Sequence, residues 1–115
     1  MHMTITGKIK YRIEKFNGEL HFRPDVDGIE ILGSFLESDI QTSPTSCDFW
    51  LTKIYAVIRR EIDNWEGVAN IHSANITPDQ TTISNEIDLD VEPLVLPTAV
   101  FLQAVSDWRE GMRQP

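Results

Sequence analysis

The chain has 115 residues, of which 41% are hydrophobic, and it carries a formal net charge of −8 and a single cysteine, Cys47. This length suits one domain that buries roughly two-thirds of its unfolded surface, and a lone cysteine excludes an internal disulfide framework. No apolar run approaches the ~20 residues of a membrane span, and the first ten residues lack the apolar core of a signal peptide. We therefore expect a single domain over residues 1–115, located in the cytoplasm.

The negative charge is concentrated in the second half of the chain. Residues 1–60 contain eight Lys or Arg and eight Asp or Glu, whereas residues 61–115 contain two Arg and ten Asp or Glu. Nucleic acid and anionic membranes are therefore poor partners, and a basic protein surface is a good one. Solubility alone is the competing explanation of an acidic composition.

The N-terminal part of the chain predicts a β-hairpin. Residues 4–16 alternate apolar and polar side chains, Asn-Gly follows at 17–18, and residues 19–23 alternate again. Asn-Gly supplies the positive φ angles that a two-residue type I′ turn requires. The outer face of the first strand is basic, and it is formed by Lys8, Lys10 and Arg12.

A short third strand and a helix are predicted in the middle of the chain. Residues 29–32 are an apolar run typical of a strand, and a helical turn follows over residues 35–40. The clearest helix spans residues 47–62, where apolar side chains recur at the i, i+3, i+4, i+7 spacing of one helix face. Its N-cap is either Ser43 or Ser46.

The second half predicts two strands and a final helix. Residues 64–67 end the preceding helix, and residues 68–76 form a fourth strand whose apolar side chains switch parity, which indicates a bulge. A turn at residues 77–80 leads into a fifth strand. Two prolines then bracket a connector, and the last helix, residues 98–110, has Thr98 as its N-cap and a glycine just past its end.

The fifth predicted strand, residues 81–92 (TTISNEIDLDVE), is the most distinctive part of the chain. Its apolar side chains alternate with carboxylates, which predicts a half-buried strand with an anionic open face. Adjacent like charges on one strand face repel, so they require positive charge nearby. The source is either the basic first strand, if the two strands are neighbours, or another molecule.

The predicted order of elements is strand, strand, strand, helix, strand, strand, helix. Hairpin-connected strands favour antiparallel pairing, and two helices with one apolar stripe each can cover one face of a sheet. We therefore predict an α+β fold with a single antiparallel sheet of about five strands and two helices packed on one face. The other face of the sheet is then open to water or to a partner.

The motifs of common enzymes are missing from the sequence. The three histidines are scattered without metal-ligand spacing, and no phosphate-binding loop, nucleophile elbow or zinc motif occurs. The turn at residues 25–28 does not predict a Ca²⁺ site, because the further oxygen ligands that a Ca²⁺-binding loop requires are missing after it. Carboxylates two residues apart in the acidic strand lie roughly 7 Å from each other, a separation that also occurs in glycosidases. A glycosidase needs one of its two carboxyl groups to have a raised pKa, and the sequence around the strand supplies no apolar pocket that would raise it. We expect no enzyme, no cofactor, no metal and no small-molecule substrate.

Four stretches of sequence give the chain a resemblance to the small immunity proteins of bacterial contact-dependent growth inhibition systems. They are FNGELHF at residues 16–22, DGIEILGSFLESDIQ at 27–41, CDFWLTKI at 47–54 and LPTAVFLQAVSDW at 96–108. The resemblance covers most of the chain in layout and is specific over residues 27–54. It implies a cytoplasmic protein that binds and blocks the C-terminal domain of its cognate toxin, often a nuclease. No functional residue carries over by motif.

The resemblance and the charge distribution point to the same partner. A nuclease presents a cationic surface to phosphate, so an anionic immunity surface can occupy it. We predict that the chain binds a basic toxin domain through the following residues: Glu86, Asp88, Asp90, Glu92, Asp63, Trp65 and Glu66. Trp65 is either an interface anchor or a side chain that closes the end of the core. The alternative is a non-catalytic scaffold or dimerisation module in which acidic and basic strands pair.

Overall fold

The computed structural model describes residues 10–114, together with the main chain of residues 3–4. The strands are β1 (Met3–Thr4), β2 (Tyr11–Phe16), β3 (Glu19–Pro24), β4 (Trp65–Val68), β5 (His72–Ile76), β6 (Gln80–Asn85) and β7 (Leu94–Pro97). The helices are α1 (Glu30–Phe35), which continues as a π-helical turn (Leu36–Ile40), α2 (Pro44–Ile58) and α3 (Thr98–Arg113). The chain therefore has an α+β fold, as predicted.

Two separate sheets replace the single sheet that was predicted. The larger sheet has the strand order β1-β7-β6-β5-β4, in which β1 is parallel to β7 and the other neighbours are antiparallel. The hairpin of β2 and β3 forms its own sheet. Helices α1 and α3 contact both the larger sheet and the hairpin, so the helical layer lies between them. The first predicted strand is therefore not a neighbour of the acidic strand.

The hairpin confirms the prediction from its Asn-Gly dipeptide. Asn17 and Gly18 adopt φ angles of 53° and 80°, and β2 and β3 pair in register on either side of this turn. The strand begins at Tyr11, later than predicted. Residues 5–9, which include Lys8 of the predicted basic face, lie outside the described residues.

The predicted strand at residues 29–32 is wrong, because Ile29 is the N-cap of α1 and residues 30–32 belong to this helix. The buried side chains of this region recur at helical spacing: Ile29, Leu32, Leu36 and Ile40. Gly33 faces the hairpin, and a Cβ at this position would lie 2.6 Å from Cδ2 of Phe22. Glycine therefore allows α1 to approach the hairpin closely, and the helical turn predicted over residues 35–40 is present as the π-helical turn.

Helix α2 has Ser43 as its N-cap, which is one of the two predicted caps. The Oγ of Ser43 accepts a hydrogen bond from the N–H of Ser46 at 3.1 Å, and Pro44 occupies the first helical turn. Proline lacks the N–H group that would have no intrahelical acceptor at this position, and its fixed φ angle suits the start of a helix. The buried face of α2 matches the predicted stripe.

The end of α2 differs from the prediction, which extended the helix to residue 62. Arg60 adopts a left-handed φ of 60°, and the N–H of Glu61 donates to the carbonyl of Ala56 at 2.9 Å. This arrangement satisfies the last carbonyl groups of a helix and ends it. Because the helix ends early, residues 65–68 can form β4, whereas residues 64–67 were predicted to be only the end of the helix.

The predicted fourth strand at residues 68–76 is in fact two strands joined by a tight turn. The N–H of Ala69 donates to the carbonyl of His72 at 2.8 Å, which closes the connection between β4 and β5. The parity switch in the sequence therefore reflects a turn and not a bulge. The following turn at residues 77–80 is confirmed, because the N–H of Thr77 donates to the carbonyl of Gln80 at 2.8 Å.

The connector between the two late prolines contains β7, a strand that the sequence pattern missed. β7 pairs with β6 and lies between β6 and β1. Three of its four residues are buried, which makes it a central strand. Its four residues are too few to show a period of two, so the pattern could not identify it.

Helix α3 is longer than predicted and is capped differently. Pro97 occupies the N-cap position, and Thr98 is the first helical residue. The buried Thr98 hydroxyl bonds the Thr81 hydroxyl at 2.9 Å and donates to the Thr77 carbonyl at 2.7 Å. Gly111 lies within the helix instead of after it. Within residues 10–114, no helix combines the length and apolarity needed to cross a membrane.

Replacing Gly67 with alanine should destabilise the fold. A Cβ at Gly67 would overlap the ring of Trp65 and lie 3.0 Å from Cη2 of Trp50. Over-packing of this kind costs about 1–3 kcal/mol, which urea unfolding can measure. The control is Val68→Ala in the same strand, because the Val68 side chain is exposed and its loss should cost about 0.5 kcal/mol or less. Equal stability of the two variants would contradict the prediction.

Candidate functional site

The acidic segment is a loop and not a strand beyond Asn85. The Oδ1 of Asn85 accepts the main-chain N–H groups of Ile87 at 2.9 Å and Asp88 at 2.7 Å. A side chain that bonds the main chain two and three residues ahead imitates a turn and competes with a sheet ladder. The strand predicted over residues 81–92 therefore ends at Asn85, and we call residues 86–92 the acidic loop.

The apolar side chains of the acidic loop point into solvent, contrary to the prediction that they are buried. Ile87 is 71% exposed, Leu89 is 82% exposed and Val91 is 37% exposed. The carboxylate residues of the loop are also exposed, and they are Glu86, Asp88, Asp90 and Glu92. The loop thus displays apolar and anionic groups together over one short stretch, which is the composition of a binding surface more than of a solvated connector.

Hydrogen bonds hold the beginning of the acidic loop in place. The N–H of Glu86 donates to the carbonyl of Ile71 at 2.8 Å, and the Ser73 hydroxyl donates to Oε1 of Glu86 at 2.5 Å. Further along, the N–H of Asp90 donates to Oδ1 of Asp88 at 3.1 Å. The main chain of the loop is therefore ordered by its own polar groups, while its apolar side chains remain unused by the fold.

A buried carboxylate bonds the residues to which the start of the acidic loop is attached. Asp39, in the π-helical turn, accepts the N–H groups of Ile71 at 3.0 Å and His72 at 2.8 Å on Oδ2, and Oδ1 lies 2.9 Å from Nδ1 of His72. Both side chains are buried. His72 therefore lies in the core, and its ring bonds Asp39. Its Nε2 has no hydrogen-bond partner among the described residues.

Of the cations in the predicted basic face, Arg12 is engaged within the hairpin, and the neighbouring Arg23 is engaged there too. Arg12 contacts Glu14 at 3.1 Å and Asp25 at 3.8 Å, and Arg23 contacts Glu14 at 3.2 Å. These ion pairs lie within the hairpin and its following turn, which belong to the other sheet. Within residues 10–114, no salt bridge reaches any carboxylate of the acidic loop.

The other three predicted site residues are not gathered on one surface. Trp65 is half-buried on the helix side of the larger sheet, where its ring lies 5.0 Å from that of Trp50 and 5.7 Å from that of Phe49. It closes the end of the core, one of the two predicted alternatives. Glu66 alternates with it and therefore points to the opposite face. Asp63 is exposed in the connection between α2 and β4.

One contact does join β4 to the acidic loop, across the face of the sheet that the helices leave uncovered. Val68 pairs with Ser73 on β5, and the Ser73 hydroxyl bonds Glu86. The exposed side chain of Val68 therefore lies next to the start of the loop. Val68 was not among the predicted site residues, because an apolar residue in a predicted strand reads as core.

Cys47 is the remaining nucleophilic side chain within residues 10–114, and its surroundings do not activate it. Cys47 is buried in α2, where its thiol donates to the carbonyl of Val105 at 3.5 Å. Burial raises the pKa of the Cys47 thiol to about 11, so the reactive thiolate is disfavoured. Within the described part of the chain, no cluster of three His, Cys, Asp or Glu side chains is arranged to hold a metal ion.

Comparison with known proteins gives no further identification. No protein-family model, curated protein or solved structure matches this chain. The resemblance to contact-dependent immunity proteins and the absence of enzymatic activity therefore stay predictions.

Removing the buried carboxylate should be far more damaging than removing an exposed one. Asp39→Ala leaves two main-chain N–H groups and His72 without their acceptor, and breaking a buried pair of this kind costs about 3–5 kcal/mol. Asp48→Ala is the matched control, since Asp48 forms an ion pair with Arg109 at 2.9 Å on the surface, worth about 1 kcal/mol or less. Urea unfolding of both variants measures the difference, and similar losses would contradict the role of Asp39.

Cys47 should make the fold sensitive to high pH. The folded chain holds the thiol proton more tightly than the unfolded chain, so this contribution to stability is fully present below the ordinary pKa of 9.0 and is lost as the pH rises to about 11. The free energy of unfolding should therefore fall more steeply over this window in the wild type than in Cys47→Ala. Parallel pH profiles would show that the thiol is not titrating from a buried site.

Proposed function

We propose that this chain is an immunity protein that binds a basic domain of a bacterial toxin, expected to be a nuclease, through the acidic loop. The observation that carries the proposal is the exposure of Ile87 and Leu89, at 71% and 82%, between carboxylates that have no ion-pair partner among residues 10–114. The resemblance over residues 27–54 supports the same class of function.

The apolar side chains of the loop supply the affinity in this proposal. Fully burying an Ile or Leu side chain contributes about 1.5–3 kcal/mol, and two neighbours that enter one apolar groove would act as the centre of an interface. Because the loop main chain is already held by Asn85 and Glu86, little conformational entropy is lost when the partner binds.

The carboxylates of the loop supply the choice of partner and the speed of association. A surface that holds phosphate is lined with Lys and Arg, and an opposing row of carboxylates is complementary to it. Such charges on the rim of an interface accelerate encounter more than they increase affinity, and salt weakens them. A neutral or acidic partner would meet the unpaired carboxylates at a cost, so the loop discriminates against it.

Two other functions were considered from the sequence, and the geometry favours neither. A dimer formed by pairing the acidic segment with the basic strand would require Arg12 to leave its salt bridges with Glu14 and Asp25. A hydrolase that uses two carboxylates needs a fixed separation between them, but the acidic residues lie on a loop and not on one strand face. Sedimentation at low and high salt tests the first, and a hydrolase screen tests the second.

The loop can be tested with variants that separate charge from apolar contact. Leu89→Ser should weaken binding to the candidate toxin, the product of the neighbouring gene, by about 10- to 100-fold, because about 1.5–3 kcal/mol of burial is lost. The double variant Asp88→Lys, Asp90→Lys should lower the association rate by about tenfold at low salt and less at high salt. Both should reduce the protection of growing cells that express the toxin.

Matched controls change the same properties at other exposed sites. Val26→Ser removes an exposed apolar side chain from the turn after β3, and the double variant Asp27→Lys, Asp79→Lys makes the same change of charge outside the loop. These controls should bind and protect as the wild type does. Equal loss of binding in the control and loop variants would mean that net charge, and not the loop, carries the interaction. Failure of the wild type to protect would overturn the proposed function.

A further inference from the structure

The outer edge of β4 has main-chain groups that point away from the sheet. β4 is the last strand in the sheet order, and the hydrogen bond from Ala69 to His72 fixes which of its residues face β5. Because hydrogen-bonded pairs alternate along an antiparallel ladder, Trp65 and Gly67 bond β5, whereas Glu66 and Val68 direct their N–H and C=O groups outward. We call these outward groups the open edge.

The outer edge of β3 in the hairpin is blocked at two of its positions. On β3, the outward N–H of Phe22 donates to Oε2 of Glu37 at 2.9 Å, and Pro24 has no N–H to offer. A charged side chain or a proline on an edge is how proteins prevent another strand from adding to a sheet. Within residues 10–114, no hydrogen bond of this kind covers the main chain of Glu66 or Val68.

Apolar groups flank the open edge on both faces of the sheet. On the helix side, Phe49 is 50% exposed and packs against the half-buried ring of Trp65. On the other face, Val68 is 72% exposed. A strand added at this edge would therefore cover apolar surface on each side while its main chain bonds Glu66 and Val68.

The charges beside the open edge define the occupant. Glu66 and Asp63 are exposed, no salt bridge to either is found among residues 10–114, and residues 61–96 contain no Lys or Arg. A lysine or arginine on the added strand could reach Glu66 with its charge while its aliphatic stem covers Val68. The side chains on the opposite face of that strand would be apolar, against Phe49.

We propose that the open edge of β4 binds an extended segment of a basic partner protein as an additional strand. Main-chain hydrogen bonds to Glu66 and Val68 provide the attachment, and alternating apolar and cationic side chains provide the selectivity. This proposal does not depend on the acidic loop or on toxin inhibition, although the loop adjoins the end of β4 and the same partner could contact both.

The test uses a synthetic eight-residue peptide of alternating valine and lysine with the ¹⁵N-labelled protein. Binding should shift the amide signals of Glu66 and Val68 and slow their hydrogen exchange by at least about tenfold, since both groups become hydrogen-bonded. The control is a peptide of equal charge in which two valines are replaced by proline, which cannot complete the ladder. It should not slow exchange at either position.

Two variants locate the binding site. Val68→Pro removes an outward N–H group without removing a hydrogen bond to β5. The peptide should then no longer slow hydrogen exchange at the open edge. Phe49→Ala should weaken peptide binding by about 5- to 10-fold, whereas Tyr55→Ala, an exposed aromatic at a different position of α2, should not. The Phe49 and Tyr55 pair remains decisive if Val68→Pro does not fold.

Three outcomes would overturn the proposal. Shifts confined to the acidic loop would mean that the peptide binds by charge alone. Equal protection by the proline-containing peptide would exclude strand addition. Shifts at Glu66 and Val68 that grow with protein concentration when no peptide is present would assign the edge to a second copy of this chain.

Discussion

The structure depends on one buried carboxylate, Asp39, which accepts the main-chain N–H groups of Ile71 and His72 on Oδ2 and contacts the His72 ring through Oδ1. Leaving a buried N–H without an acceptor costs about 1–3 kcal/mol, so Asp39 fixes the position of Ile71 and His72 against the helical layer. The carbonyl of Ile71 in turn accepts the first N–H of the acidic loop. The same helical segment ends at Gln41, whose carbonyl accepts the indole N–H of Trp108 at 2.7 Å. A single short segment therefore connects the helices, the larger sheet and the loop.

The parts of the fold that could be predicted are those whose signals are local and strong. The Asn-Gly turn, the Ser43 cap of α2 and the turn at residues 77–80 each depend on the chemistry of a few adjacent residues. The errors have a different origin. An apolar run as short as residues 29–32 fits a strand or a buried helix equally well, and a central strand of four residues such as β7 shows no period. The assignment of β2 and β3 to a sheet of their own depends on tertiary packing, to which no local pattern refers.

The sequence predicted the residues of the candidate site better than it predicted their geometry. The four carboxylates of the acidic loop were identified from sequence, but a period of two indicates burial only if a neighbouring strand is present to cover one face. β7 pairs with β6 only from Gln80 to Ile83, so the residues after Asn85 extend beyond the partner that would have buried them. The signal that could have revealed the loop is Asn85 itself, the one interruption of the alternation. Trp65 and Glu66 were grouped together although adjacent strand residues face opposite sides.

The exposure of the loop has a consequence for how proteins of this kind could diversify. Ile87 and Leu89 lie outside the core, so substitutions there should change the exposed surface while the free energy of folding stays nearly constant. Asp39 and His72 carry the opposite constraint, since their buried side chains bond each other and a change at either would loosen the scaffold. If the acidic loop binds the partner as proposed, recognition and stability are encoded in separate residues, and point mutations in the loop could change the partner without unfolding the chain.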